Sequence, residues 1–374
     1  METKTGIKNA FTVQALNAFI GGVTYILLPL LMLERKISIE SMGLIFAILP
    51  LVSQTSRVIF ATISDYIGRK KFYWLCGIMN LVHLIVYYFS KSPFGFLLGK
   101  ISEGVRDASL WSVNRAYFLD HSQEREKTLV KMRGMGSIFS AIGTLLAGFL
   151  LTKLFYDKTL CLLMGLSFLI FPNVKKLIDK EKRKISISAI LETLSFSNKT
   201  KKFKTFFILF FVSGLYFGLV GNYVFPLFLK EAGIVTQNIG LILGMRVLLG
   251  GICIYALRSI GKGKYKILIG GLFCSLFLIL LPFTNQVSLP ILMILLGIAG
   301  GISDAGHETI FIQVINHNSM AGDIGILMIG THVGVAITQA IAGFAITSFG
   351  FLALFFSASA LNLFFCLAAF KNMS

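Results

Sequence analysis

Four charged residues, Lys100, Glu103, Arg106 and Asp107, lie close together within an otherwise apolar stretch of the chain. In an α-helix they would share about one third of the circumference, and their alternating signs at i,i+3 and i,i+4 spacing would let them neutralise one another. Charged groups in an apolar medium are costly, and they are typical of sites that move protons or bind ions. Glu103 and Asp107 are candidates for taking up and releasing a proton. Lys100 and Arg106 are candidates for holding an anionic group of a ligand.

A second group of the same kind, Asp304, His307 and Glu308, lies in a later apolar stretch. These residues also share one helical face, with an excess of acid. His307 could relay protons, because histidine changes its charge near physiological pH. Other polar residues within apolar stretches complete the set of candidates: Arg57, Arg246, Asn17 and Asn222.

A structural interpretation stays open for all these residues. The charged groups could form an ion-pair network that fixes the register of the helices. Arg57 and Arg246 could each pair with a buried acid. Asn17 and Asn222 could line a cavity or make hydrogen bonds between helices.

The composition indicates which elements must position these groups. Hydrophobic residues make up 55% of the 374 residues and charged residues only 14%, and the mean hydropathy is +0.79. Soluble domains carry about 25% charged residues. A chain this apolar needs the bilayer as its solvent. The net charge of +18 falls mainly in short loops, so it predicts topology rather than nucleic-acid binding.

Apolar runs of about 20 residues, the length that crosses the hydrocarbon core, predict twelve transmembrane helices. Lys and Arg are concentrated in alternate loops, above all in the segment 174–204, which predicts that both termini are cytoplasmic. The predicted spans are 10–33, 42–64, 72–90, 94–119, 132–155, 159–173, 205–229, 236–258, 266–284, 288–315, 323–348 and 350–370.

The two halves of the chain resemble each other at one fixed offset. Such repeats predict two six-helix pseudo-symmetric bundles, 1–173 and 205–374, joined by a cytoplasmic interdomain loop, 174–204. The middle of this loop, 185–194, could form a short amphipathic helix on the membrane surface. The matched pairs are Gly21 with Gly218, Pro29 with Pro226, Glu34 with Glu231, Gly43 with Gly240, Gly104 with Gly301 and Asp107 with Asp304.

The loop after the second span contains Asp65, Gly68, Arg69, Lys70 and Lys71. This pattern resembles the signature GxxxD(R/K)xG(R/K)(R/K)(R/K) of the major facilitator superfamily. Its first Gly and one basic position are replaced, by Ala and Tyr respectively. Together with the topology and the duplication, the resemblance covers the whole chain and implies the fold of that superfamily, an all-α integral membrane protein.

The resemblance also implies a role for the loop, which locks the two halves together in one state of the transport cycle. Asp120, at the end of the fourth span, looks like the partner of Arg69 in this lock. Without the resemblance, the residues of the loop indicate a tight turn at a glycine that carries three cations. The alternative is that these cations serve only as a topology signal.

Two further resemblances are partial. Lys100, Glu103 and Gly104 resemble the RxxQG signature of drug antiporters, with Lys in place of Arg and Glu in place of Gln. Gly134, Gly143 and Gly148 resemble the antiporter signature Gx8GPxxGG, with Thr in place of Pro and Ala in place of one Gly. The antiporter signature slightly favours export by antiport, and import by symport stays open.

The expected function is secondary active transport of a small organic solute by alternating access, coupled to protons. The alternative is an uncoupled facilitator or an organic-anion exchanger. No metalloprotease, nucleophile-elbow or nucleotide-binding motif occurs, so an enzyme is not expected. The expected partners are the solute, protons and the lipid bilayer, with no nucleic acid, cofactor or metal. The expected location is the plasma membrane, with a monomer as the functional unit.

Overall fold

The computed structural model describes residues 2–121, 125–179, 196, 199–257, 260–314 and 320–373, with most of their side chains. Every regular element in these ranges is helical, and a short 3₁₀ turn, Leu281–Phe283, follows α10. The α-helices are α1 (Glu2–Glu34), α2 (Ile39–Ile67), α3 (Lys70–Phe89), α4 (Pro93–His121), α5 (Arg125–Phe168), α6 (Ile170–Lys175), α7 (Lys201–Val220), α8 (Val224–Glu231), α9 (Thr236–Leu257), α10 (Gly263–Leu280), α11 (Ser288–Val314) and α12 (Met320–Asn372).

Nine helical stretches within the described residues are long and apolar enough to cross a membrane. Helix α4 is long enough but is not among them, because its charged residues interrupt the apolar window. Two of the nine are long enough for two crossings each. Each of these contains a residue with non-helical dihedral angles, Phe155 in α5 and Gly350 in α12, close to where two predicted spans meet. The all-helical membrane fold is confirmed, while the count of twelve spans stays a prediction.

The chain divides into two compact units. Unit 1 contains 1–37 and 48–186, and unit 2 contains 38–47 and 187–374. The first residues of α2 therefore belong to unit 2 and the rest of the helix to unit 1, with the division shortly before Pro50. The sequence did not predict this division of α2. The predicted bundle boundaries stay a prediction, and the predicted surface helix at 185–194 lies outside the described residues.

In unit 1, glycines let α1 and α5 pack backbone to backbone. A Cβ atom on Gly143 would lie 2.3 Å from the carbonyl oxygen of Phe19, and one on Gly22 would lie 2.1 Å from that of Ser140. Thr144 adds an interhelical hydrogen bond, because its hydroxyl donates to the carbonyl of Gly22 at 3.2 Å. Small residues that permit such close approach are a common means of holding membrane helices together.

Unit 2 repeats this arrangement with α7 and the first part of α12. A Cβ atom on Gly214 would lie 2.2 Å from the carbonyl oxygen of Thr331, and one on Gly334 would lie 2.4 Å from that of Phe211. The counterparts of α1 and α5 in the second half thus pack by the same means. This agrees with the duplication that the sequence predicts.

Hydrogen bonds also join α10 to the last part of α12 in unit 2. The hydroxyls of Ser275 and Ser359 each donate to the other residue's carbonyl, at 3.2 and 2.9 Å. The Asn362 amide donates to the Ser275 hydroxyl and to the carbonyl of Gly271, both at 2.9 Å. These buried polar groups satisfy one another, as the bilayer core requires.

Two glycines of α5 provide a matched test of the α1–α5 contact. Gly143→Ala should lower the melting temperature of the purified protein by several degrees, because the added methyl collides with a backbone oxygen that cannot move away. Gly134→Ala should leave it unchanged or raise it, because no atom lies within 4 Å of the added carbon and Ala favours a helix over Gly by about 1 kcal/mol. Equal melting temperatures for the two variants would contradict this account of the packing.

Candidate functional site

The four charged residues of α4 form one connected network in unit 1. Lys100 Nζ lies 2.8 Å from Glu103 Oε2, and Arg106 Nη2 lies 3.4 Å from Glu103 Oε1. The same guanidinium nitrogen lies 2.7 Å from Asp107 Oδ1. The side chains of Lys100, Glu103 and Arg106 are buried, whereas that of Asp107 is 26% exposed. The helical spacing thus brings opposite charges into contact along one face.

Helix α3 completes the network with two residues that the sequence analysis did not select. The Tyr87 hydroxyl donates to Glu103 Oε2 at 2.6 Å, and His83 Nε2 lies 3.3 Å from Arg106 Nη1. Tyr87 reaches this position because Gly99 of α4 has no side chain, and a Cβ there would lie 2.2 Å from the tyrosine ring. His83 and Tyr87 are spaced i,i+4 along α3. That spacing puts them on one face, but it does not show that this face meets α4.

Arg57 of α2 lies beside this network without joining it. Its guanidinium carbon is 5.5 Å from the centre of the Trp111 ring, and Asp107 attracts it electrostatically. Its Nε is buried and has no hydrogen-bond partner. With Arg57 included, three cations and two acids occupy this region, and Arg57 is the cation without an ion pair among the described residues.

The polar residues of α1 make hydrogen bonds between helices. Asn17 Oδ1 accepts from the Asn80 amide of α3 at 2.9 Å. Gln14 Oε1 accepts from the Asn114 amide of α4 at 2.7 Å, and Asn114 Oδ1 in turn accepts from the Tyr73 hydroxyl at 2.6 Å. Of the two interpretations of Asn17, this geometry favours interhelical hydrogen bonding.

The candidates of unit 2 lie on α9 and α11. Arg246 of α9 places its guanidinium carbon 4.3 Å from the centre of the Phe225 ring, and its buried Nε has no hydrogen-bond partner. Arg246 and Asp304 both lie near enough to the buried hydroxyl of Tyr216 to act on it electrostatically. The side chain of Glu308 lies outside the described part of the structure.

His307 is surrounded by aromatic rings. The ring centres of Phe365, Phe210 and Phe217 lie 4.9, 6.3 and 6.4 Å from that of His307. These phenylalanines come from α7 and the end of α12. His307, three residues after Asp304 on α11, is therefore a titratable ring among apolar side chains.

Asn222 does not lie within a helix. It occupies the break between α7 and α8, where its φ is 45°, a left-handed conformation that Asn tolerates better than most residues. The Tyr223 hydroxyl donates to the backbone carbonyl of Gln339 at 3.0 Å. The side chain of Gln339 is fully buried, and neither of its amide atoms has a partner. The sequence analysis missed Gln339 because a single amide in an apolar run gives no spacing signal.

The turn between α2 and α3 is held by an acid from the end of the first half. Gly68 has φ +95°, and a Cβ there would lie 2.5 Å from the Asp179 carboxylate. That carboxylate accepts from the backbone N–H of Lys70 at 2.8 Å, so it caps the first turn of α3. The Lys70 ammonium donates to the carbonyl of Lys175 at 2.7 Å. Asp179 was not predicted, because it is distant in sequence from this turn.

The other residues of the turn have different surroundings. Arg69 forms an ion pair with Asp120 at the end of α4, and Lys71 is exposed. Asp65 lies in the last turns of α2, and its side chain is outside the described part.

In unit 2, Lys199 pairs with the buried Asp323 of α12 at 2.7 Å.

Comparison with known proteins places the fold. The family model of the Major Facilitator Superfamily matches residues 10–269, more than half of the chain. No curated protein sequence matches this chain. Crystal structures of the nucleoside transporter NupG are similar: one has a TM-score of 0.79 and 15% identity, covering 98% of each chain. A mutant of that transporter has a TM-score of 0.82 and 14% identity, covering 98% of this chain and 100% of that one.

A crystal structure of the human organic anion transporter MFSD10 is also similar, with a TM-score of 0.72 and 14% identity. It covers 98% of this chain and 99% of that chain. At these identities the structures show a shared fold alone. The family match, in contrast, includes the turn at Gly68 and the charged face of α4, and it confirms the resemblance inferred from the sequence. The chain belongs to the Major Facilitator Superfamily and is a membrane transporter of small solutes, not an enzyme.

Proposed function

We propose that this protein is a secondary active transporter that moves a small organic solute by alternating access, coupled to protons. The observation that carries the proposal is the buried network of Lys100, Glu103, Arg106 and Asp107 on α4. The supporting similarities are the nucleoside transporter and the organic anion transporter, both of which act on small organic molecules.

A purely structural role explains this network poorly. Apolar residues of similar volume are often as stabilising as a buried ion pair, or more so. Within a membrane, where helices are held by close packing, the cost of burying charge is larger still. Stability alone therefore gives little reason to keep four charges on α4.

Proton coupling needs an acid that can exchange protons with water. Asp107 is the acid of the α4 network with the greater exposure, and Asp304 is its counterpart in the duplicated half. Asp304 acts on Tyr216 and precedes His307 by one helical turn. We propose that Asp304 is the coupling acid.

The turn at Gly68 supplies the conformational lock. Arg69 and Asp120 form a partly buried ion pair that connects this turn to α4, and Asp179 fixes the turn itself. We further propose that both termini are cytoplasmic, that the protein works as a monomer in the plasma membrane and that it exports its solute. The glycines of α5 that resemble an antiporter signature favour export.

The direct test begins with the solute. The purified protein is heated in the presence of a panel of metabolites and drugs, at about pH 5.5 and about pH 7.5, because a ligand of the folded state raises the melting temperature. Solutes that bind are then offered to proteoliposomes with and without an imposed pH gradient. Solute accumulation that requires the pH gradient supports the proposal. Solute uptake that is the same with and without the gradient would contradict proton coupling and indicate an uncoupled facilitator.

The first variant addresses the coupling acid. Asp304→Asn should abolish accumulation driven by a pH gradient while it spares exchange of labelled for unlabelled solute, because the amide keeps the shape of the carboxyl but cannot carry the proton. Asp157→Asn, at an exposed acid that pairs with Arg35, is the control and should accumulate solute normally. An unaltered pH dependence in Asp304→Asn would show that another group couples transport.

The second variant addresses the lock. Arg69→Asp and Asp120→Arg should each slow transport at least tenfold, because each places two like charges at a partly buried contact. The double variant Arg69→Asp/Asp120→Arg should recover most of the rate, because it restores the pair in reverse order. Membrane insertion is measured in all three proteins. Normal transport in both single variants would remove the lock from this turn.

A further inference from the structure

We propose that Arg57 and Trp111 form a binding site for the carboxylate or phosphate group of an organic anion, and that the transported solute is therefore an anion. This inference rests on the proposed transport function, since it names the class of solute. It assigns the anion to Arg57 of α2 instead of Lys100 or Arg106, the cations that the sequence favours.

Lys100 and Arg106 are already engaged by acids of their own helix. Lys100 contacts Glu103, and Arg106 contacts both Glu103 and Asp107. An anion that approached either cation would have to displace a carboxylate and leave it buried without its partner, which costs several kcal/mol. These two cations are therefore poor first contacts for a charged solute.

Arg57 is the cation of this region that keeps its hydrogen-bonding capacity. It makes no hydrogen bond or ion pair with any other described residue, and its Nε is buried. Asp107 attracts it across a longer distance without satisfying its N–H groups. A buried donor without an acceptor is costly, so an anionic oxygen at this position would remove the penalty.

Trp111 gives the site its geometry. The guanidinium carbon lies 5.5 Å from the centre of the indole ring. A planar guanidinium binds a carboxylate or phosphate through two parallel hydrogen bonds. Trp111 is 60% exposed. A solute can reach it without rearrangement of the α4 network.

Unit 2 contains a second arginine of this kind. Arg246 lies over Phe225 at 4.3 Å, and its buried Nε also has no partner. Arg57 lies on the second predicted span of its half, and Arg246 lies on the equivalent span of the other half.

The chain offers a direct reporter, because it contains only two tryptophans. Trp74 stacks on Phe171, so Trp74→Phe retains an aromatic contact and leaves Trp111 as the only source of indole fluorescence. This full-length protein is titrated in detergent with benzoate, with phenyl phosphate and, as the neutral isostere of benzoate, with benzamide. Arg57→Gln and Arg57→Lys are made in the same background, with Arg115→Gln as the matched control, at an exposed arginine one turn from Trp111.

We expect a saturable change in Trp111 emission with at least one of the two anions and none with benzamide. Arg57→Gln should weaken anion binding at least tenfold, Arg57→Lys should weaken it less, and Arg115→Gln should leave it unchanged. Melting curves confirm that each variant is folded. Should Arg57→Gln fail to fold, Arg57→Lys decides the question, because loss of the paired hydrogen bonds still requires weaker binding.

Three outcomes would overturn the inference. They are no saturable response to either anion, an equal response to benzamide, and anion binding that Arg57→Gln and Arg57→Lys leave intact. The relative affinities for benzoate and phenyl phosphate distinguish a carboxylate from a phosphate solute. The binding titration is made at equilibrium and requires no proton gradient, so it is independent of the transport assay. Absence of anion binding would contradict the role of Arg57 without contradicting proton-coupled transport, and absence of coupled transport would not contradict anion binding.

Discussion

The contact between Glu103 and its two cations is the constraint on which unit 1 depends. Lys100 and Arg106 lie on either side of this carboxylate along α4, and a membrane interior offers no water to replace either of them. Breaking one contact would leave a charge unpaired in an apolar medium. The bonds that reach this network from α3, between Tyr87 and Glu103 and between His83 and Arg106, fix the rotation of α4 about its axis. That rotation sets the direction in which Asp107 and Trp111 point.

The neighbouring helices follow from this constraint. Tyr87 can donate to Glu103 only if α3 lies close to α4, and Gly99 provides the space for its ring. His83, one turn earlier, then meets Arg106. On the same face of α3, Asn80 donates to Asn17 of α1, and α1 packs through Gly22 and Gly143 on α5. A few polar contacts and glycines thus set the positions of four helices in sequence.

Much of this organisation could be predicted from the sequence. Apolar run length predicts the helices, the fixed offset predicts that Asp107 and Asp304 are counterparts, and the i,i+3 and i,i+4 spacing on α4 predicts that its charges meet. The helices and the contacts on α4 are found in the structure because each depends on one segment of the chain. The correspondence of Asp107 with Asp304 stays a prediction.

The rest depends on how helices rotate against each other, which spacing does not reveal. His83 and Tyr87 could have faced lipid, and nothing near Asp179 in the sequence indicates that it caps α3. The break at Asn222 falls within a run apolar enough for an unbroken helix. Arg57 is the clearest case: in the sequence it is one of several membrane arginines, and only the contacts of Lys100 and Arg106 identify it as the cation without an ion pair.

Helix α4 also connects the two parts of the mechanism proposed here. The ion pair with Arg69 is made by Asp120 at one end of the helix, and the charged network occupies its middle. Near Asp120, the Tyr117 hydroxyl accepts from the backbone N–H of Ile178, beside the acid that holds the turn at Gly68. Asp107 and Asp120 lie about 20 Å apart on one helix, at 1.5 Å per residue. Because a helix transmits axial displacement and rotation along its length, α4 is the element that would carry a charge change at Asp107 to the contact at Asp120. A solute that neutralises Arg57 would alter the field at Asp107 and so reach the lock through α4 itself.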